Sequence, residues 1–326
     1  MSSELLIVIA LALFFGFLNG IRDAANIVAT VISSRAFAPR TALTIAALAE
    51  FTGPFLFGVG VARTIGAEIA QVDSLTLTVI VAALLGAIVW NVINGHLGIP
   101  GSSSHTLIGG IIGAVLVSAG WQAILLPGLI KVLAALFIFP LVGFASGFVF
   151  TRIIYFLAQG ASPRINEFFK RSQLITAIIL GLSHGTNDAQ KSMGIIVLGL
   201  AISHPLNSFE VPLWVTVASA AAMALGTSLA GWKLIRTLGG RFYKIRPLHS
   251  FSTQLTSGIV ILSASFFGAP VSTSHVVSSA IIGVGASERF SKVRWSVAGD
   301  ILTAWLITIP VSASLAAGFY WLLTAL

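Results

Sequence analysis

The sequence contains no cysteine and very little charge. Without cysteine there is no disulfide, no thiolate metal site and no thiol nucleophile. Asp, Glu, Lys and Arg make up 9% of the 326 residues, against roughly 25% in a soluble domain. So few charges cannot cover a water-exposed surface, and lipid must be the main solvent. Strand-period alternation is missing too, which argues against a membrane barrel. No ATP-binding loop is present, so any energy input has to come from an ion gradient or a partner.

What the chain does have is apolar residues, 56% of the total, and a mean hydropathy of +0.99. Apolar runs of about 20 residues recur along its length, the length a membrane span needs. Hydrocarbon offers the backbone no hydrogen-bond partner, so these runs are expected to be helices. The first, from Leu5, runs on into a polar motif with no small-residue cleavage site, and reads as a mature helix. The net charge of +8 does not indicate nucleic-acid binding, because the basic residues sit in short loops between apolar runs.

The pattern predicts an all-α polytopic membrane protein with about ten transmembrane segments, some of them broken helices or re-entrant loops. They fall at about 5–33, 41–62, 75–95, 102–118, 123–157, 173–202, 211–235, 252–267, 274–286 and 295–324. Threading the loops alternately puts Arg35, Arg40, Arg152, Arg164, Lys170, Arg171, Lys233, Arg236, Arg241, Lys244, Arg246, Arg289, Lys292 and Arg294 on one side. The other side receives only Arg63. Basic loops stay in the cytoplasm, which predicts a plasma-membrane protein with both termini outside.

The halves repeat. Pro39, Gly53, Gly58, Arg63, Thr64 and Gly66 match Pro212, Gly226, Gly231, Arg236, Thr237 and Gly239 at a constant offset of 173. The segment Gly98-Ile-Pro-Gly-Ser-Ser-Ser-His105 matches Gly268-Ala-Pro-Val-Ser-Thr-Ser-His275 at offset 170, as Pro140 matches Pro310. Gly20, Asp23 and Ala24 match Gly185, Asp188 and Ala189 at offset 165. An odd five crossings per half inverts the second copy, the architecture of secondary transporters. The expected organisation is an N-terminal repeat over 1–157, a cytoplasmic linker over 158–172 and an inverted C-terminal repeat over 173–326.

Two paired constellations carry the chemistry. Asn19-Gly-Ile-Arg-Asp-Ala-Ala-Asn26 and His184-Gly-Thr-Asn-Asp-Ala-Gln-Lys191 each interrupt an apolar run. An aspartate at mid-membrane is costly and needs a cavity, an ion or a partner. A glycine before it suits an unwound turn that coordinates ions. The plainer alternative is an Arg22–Asp23 ion pair or a buried polar knot. In the second constellation Pro and Gly break the chain, then Ser or Thr caps a new helix. Two such starts, with free N–H groups and hydroxyls, suit a tetrahedral oxyanion. His105 and His275 read as packed hydrogen-bonding residues, and His96, His204 and His249 as loop or interface residues. Lys131 and Asp300 read as structural, near segment ends. Glu50 lies alone in an apolar run, opposite Met223 in the other half, and an intramembrane carboxylate is functional by default.

These motifs, with Ala304-Trp-Leu-Ile-Thr-Ile-Pro310, resemble the inorganic phosphate transporter family, which also includes sulfate permeases. The resemblance covers nearly the whole chain. It implies symport of phosphate with sodium or protons, an inverted repeat, a homodimer and an elevator-like movement. Carried onto this sequence, it places Asp23, Asn26, Asn187, Asp188 and the Ser and Thr of the two loops (Ser103, Ser104, Thr273 and Ser274) in the anion and cation sites. Gln190 and Lys191 lie in the same motif and join the candidate substrate ligands. Asp23, Glu50, Asp188 and Arg22 are the candidates for ion coupling, with sodium at Asp23 and Asp188 if a metal ion is used. Arg22 stands where the family commonly has Asn, and Gln254 where many sodium-coupled members have Glu. Both changes remove what a sodium ion would use, and favour protons. No catalytic residue and no cofactor is expected. An intramembrane hydrolase would need one asymmetric triad, whereas here Ser, His and Asp occur twice in register. A passive anion channel is the remaining alternative.

Overall fold

The computed structural model describes residues 2–97, 101–204, 208–230 and 245–325. Gly98, Ile99, Pro100, Gly231, Lys233, Arg236, Thr237, Gly239, Arg241 and Lys244, and the side chain of Asp300, lie outside what is described. Eleven α-helices account for the described chain, and no β-strand occurs among these residues. They are α1 (Ser3–Ser33), α2 (Pro39–Leu56), α3 (Gly60–Ala67), α4 (Leu77–Leu97), α5 (Ser103–Ala119) and α6 (Leu126–Leu157), followed by α7 (Ile165–Ser203), α8 (Leu213–Ser228), α9 (Pro247–Phe266), α10 (Thr273–Glu288) and α11 (Trp295–Ala325).

Local chemistry sets the boundaries. Ser2 caps α1 by accepting from Leu5 N at 3.3 Å. Pro39 and Pro247 open α2 and α9, where a missing N–H costs nothing. Between α2 and α3 the chain turns by 75°. Gly58 sits there with φ +78, a conformation that disfavours any side chain.

Among the described residues, four helices are long and apolar enough to cross a membrane, within Ser3–Ser33, Leu77–Leu97, Leu126–Leu157 and Leu302–Ala325. The pair α2–α3, bent by 75°, passes the same test of length and apolarity only when its two helices are taken together. The segment expected to cross at 41–62 folds as this bent pair. The expected 102–118 and 274–286 are the shorter helices α5 and α10, each starting from a capped Ser. α7 begins at Ile165, so its first turns lie in the segment expected to link the halves.

One expectation is overturned. The two aspartate motifs do not unwind: α1 runs unbroken through Asn19–Asn26, and α7 through His184–Lys191. Their glycines serve close packing instead. A Cβ at Gly20 would strike the Met223 carbonyl, and one at Gly185 the Glu50 backbone. The reciprocal contacts use Gly53 against Leu182 and Thr186, and Gly226 against Phe17 and Ile21. Without a hydrophobic drive between helices in lipid, small residues that let backbones approach supply the packing.

The halves interlock through these contacts. α1 packs on α8 and α7 on α2, while α1 and α7 cross each other at the centre. α6 packs on α9 and α10, and α11 on α4 and α5, so the last helix of each half covers the other half. The repeat offsets carry each contact onto its counterpart: α1 with α8 onto α7 with α2, and α6 with α9 and α10 onto α11 with α4 and α5.

Candidate functional site

The crossing of α1 and α7 brings Asp23 and Asp188 together in the interior, and the starts of α5 and α10 meet them there. Ser102 and Ser272 cap these two starts by accepting from His105 N at 3.3 Å and His275 N at 3.4 Å. The next residues are thereby turned inward. Thr273 donates to Asp188 Oδ2 at 3.1 Å, and Ser274 to Asp23 Oδ1 at 2.8 Å. Lys191 Nζ bonds Asp188 Oδ1 at 2.7 Å and Ser103 Oγ at 3.3 Å. Asn26 Nδ2 donates to Asp23 Oδ1 at 3.0 Å. Each aspartate is thus bonded one helical turn ahead on its own helix and by a hydroxyl from the start of α10.

A second group of residues joins this cluster. His184 places Nδ1 2.7 Å from Glu50 Oε1 and Nε2 3.5 Å from Asp188 Oδ2. Glu50 also accepts from Thr227 Oγ1, which reaches the Gly20 carbonyl at 3.2 Å. Asn19 Nδ2 donates to Asp188 Oδ2 at 2.9 Å. Glu50, on α2, is therefore wired to the centre rather than isolated as its apolar surroundings suggested. Asp23, His184 and Asp188 each present a ligand atom within 4.8 Å of the others, a set able to hold a small cation.

Two expected ligands take another part. Asn187 accepts from Val271 N at 3.2 Å and donates to Ser265 Oγ and the Ala269 carbonyl at 2.9 and 3.1 Å. Gln190 accepts from Ala62 N at 3.0 Å and donates to the Gly58 carbonyl at 2.6 Å. Both amides are spent on holding the chain before α10 and the α2–α3 bend. Ser104 likewise donates to the Val271 carbonyl at 2.6 Å. Arg22 occupies the position equivalent to Asn187 and donates to Asn91 Oδ1 at 2.5 Å, with no ion pair to Asp23. Of the two plainer alternatives, no Arg22–Asp23 ion pair occurs among the described residues, while the two motifs do join in a buried polar network between helices.

The family model for the phosphate transporter family (PHO4) matches residues 19–316. The chain belongs to this family. Its relatives there include a "Probable low-affinity inorganic phosphate transporter" of Bacillus subtilis, 44% identical over 98% of this chain and 96% of the relative. A protein of the same description from Rhizobium meliloti is 43% identical over 96% and 94%. A solved structure described as "The sodium-dependent phosphate transporter" superposes over 100% of both chains with a TM-score of 0.90 at 23% identity, which establishes the shared fold.

Within this family member, sequence reasoning had not selected Asn19, His184, Thr227 or Asn91. A signal existed for two of them. Asn19 and His184 stand four residues before Asp23 and Asp188, on the same helix face. Thr227 and Asn91 come from α8 and α4 and carry no mark in the sequence. His105 and His275 pack against Trp305, with ring centroids 6.3 and 4.8 Å away, and His105 Nδ1 lies 2.8 Å from Ser102 Oγ. Lys131 pairs with Glu68 at 3.0 Å near the ends of α6 and α3.

Proposed function

We propose that this chain is a secondary active symporter of inorganic phosphate driven by a proton or sodium gradient. It works in the plasma membrane as ten crossings in two inverted repeats, with both termini outside, and as a homodimer. The observation that carries this reading is the capped start of α10 bonded to both buried aspartates, with the capped start of α5 joined to Asp188 through Lys191. Helix N-termini with hydroxyls suit an oxyanion. A carboxylate can only accept a hydrogen bond, which a partly protonated phosphate can donate and sulfate cannot.

Charge balance supports symport over a passive channel. Asp23, Asp188 and Glu50 share the buried centre with Lys191 and His184, while the Arg22 guanidinium bonds Asn91. An arriving anion adds negative charge to this centre. Desolvated charge is costly unless compensated, so a cation must travel with it. Fixed positive charge from Arg22 and Lys191 favours the small proton over sodium. The pairing of packing contacts across the halves supports the inverted repeat.

The test uses proteoliposomes given a sodium gradient, a pH gradient or neither, with labelled phosphate or sulfate inside the assay. Concentrative phosphate uptake under one gradient is the expected outcome. Flux that only dissipates a phosphate gradient would mean a channel, and preferential uptake of sulfate would overturn the substrate assignment.

A further inference from the structure

The interior is not equally polar on the two sides of the aspartates. Toward the basic loops, the face of α1 that carries Asp23 continues through Asn26, Thr30 and Ser34. α7 adds Gln173 and Thr176 to this face, and α9 adds Ser250, Gln254 and Ser257; all are buried. Two amides each tie the three helices together. Gln173, on α7, accepts from Ser34 Oγ at 2.7 Å and donates to the Pro247 carbonyl at 3.3 Å. Gln254, on α9, accepts from Thr176 Oγ1 at 2.6 Å and donates to Thr30 Oγ1 at 3.3 Å. Ser250 and Ser257 stand one turn to either side of Gln254, and their hydroxyls are buried with no hydrogen-bond partner among the described residues. Leu180 is the apolar step on α7 between Thr176 and His184. The face begins at Ser34, Gln173 and Pro247, close in the chain to Arg35, Arg171 and Arg246 of the basic loops.

The repeat supplies a matching face on the other side of the aspartates, and that face is apolar. At offset 165, Thr30, Gln173 and Thr176 fall on Ile195, Val8 and Leu11. α9 and α4 match at offset 170, so Ser250, Gln254 and Ser257 fall on Ile80, Leu84 and Ala87. All of these counterparts pack in one apolar core. A buried polar group needs a partner, and an amide or hydroxyl can exchange a protein partner for water. Leu, Ile and Val part only by exposing hydrocarbon. We infer that the face shared by α1, α7 and α9 is a hydrated path between the aspartate site and the cytoplasm. Gln173 and Gln254 are its gates, and the matched outer face is shut in the resting protein. The resting site then exchanges with the cytoplasm and not with the outside. Calling the inner side cytoplasmic rests on the proposed orientation, whereas the path itself rests on the contrast between the two faces.

The test is single-cysteine accessibility in the full chain, which has no cysteine of its own. The variants are S250C and S257C on the inner face, and L84C and A87C on the outer one. A charged, membrane-impermeant thiosulfonate is applied to intact cells or to inverted vesicles, without phosphate or an imposed gradient. A thiol reacts as its thiolate, and burial in apolar surroundings leaves it inert. From inverted vesicles the inner pair should label at least about tenfold faster than the outer pair does from intact cells. An inner pair unlabelled from both sides, or two faces that label equally fast, would overturn the inference. Labelling of the inner pair from intact cells alone would support the path and overturn only the orientation of the basic loops. Q254L, which copies the outer Leu84, should slow labelling of S257C by about tenfold, and Q254N, which keeps an amide, should not. Unchanged labelling under Q254L would remove Gln254 as a gate. Should Q254L not fold, Q173L decides by the same criterion. Phosphate is absent throughout, so a protein that labels as expected but carries no phosphate fails the symport reading alone.

Discussion

Glu50 on α2 and His184 on α7 meet at 2.7 Å, both without exposed surface. The contact lies beside Gly185, whose missing side chain lets the Glu50 backbone reach α7. It links the α2 carboxylate to Asp188 through one imidazole. In a double-mutant cycle with Glu50→Gln and His184→Gln, the coupling measured by thermal unfolding should be about 0.5–3 kcal/mol, the range for groups in contact. Strict additivity of the two substitutions would show that the pair is not energetically joined.

Asp23→Asn and Asp188→Asn should each abolish phosphate uptake while leaving insertion intact. A mis-charged group at a desolvated site costs several kcal/mol, which is more than about 100-fold in binding. Uptake in proteoliposomes, normalised to protein recovered from the membrane, checks this. Near-normal uptake in both variants would reduce the aspartates to a structural role.

The hydroxyls of the two helix starts are predicted to differ. Ser274 bonds Asp23 directly, whereas Ser104 bonds the Val271 backbone. Ser274→Ala should weaken binding of phosphate or its coupled cation by about 1 kcal/mol, the worth of one hydrogen bond. Ser104→Ala should act mainly on stability by about the same amount. Isothermal titration and thermal unfolding, run on both variants, separate the two effects.

Gly185→Ala should destabilise the protein by about 1–3 kcal/mol, because the added methyl must push α2 and α7 apart in a packed interior. Substitution to Ala at Gly160, where a Cβ meets nothing within 4 Å but φ is +78, should cost less and only through backbone strain. Unfolding midpoints of the two variants, compared with wild type, test the order.

For the topology, a single cysteine at position 165 can be read without background because the chain has none of its own. An impermeant thiol reagent applied to intact cells should leave it unlabelled, and should label it after the membrane is opened. Labelling from outside would invert the assignment of the basic loops.

Much of this protein is determined along the chain itself. Scarcity of charge and recurrent apolar runs dictate helices, since lipid leaves the backbone no other way to satisfy its hydrogen bonds. Ser102 and Ser272 announce the two inward helix starts, because a hydroxyl after a Pro and Gly break caps whatever follows. The matched Asp23 and Asp188 mark the centre, because only a functional or paired carboxylate survives there.

Only the tertiary structure decides what those residues touch. The glycines before the aspartates looked like places to unwind, but α1 and α7 stay helical, because Gly20 and Gly185 are needed where helices cross. Glu50 looked solitary because its partner His184 is 134 positions away in the chain and reaches it only when α2 lies on α7. Asn187 and Gln190 have the same chemistry as a ligand amide, but the backbone groups of Val271, Ala269, Ala62 and Gly58 claim their hydrogen bonds. The division has one physical cause. Solvent and local capping act on residues near in sequence, whereas the role of a buried polar group depends on which distant group becomes its partner once water is gone.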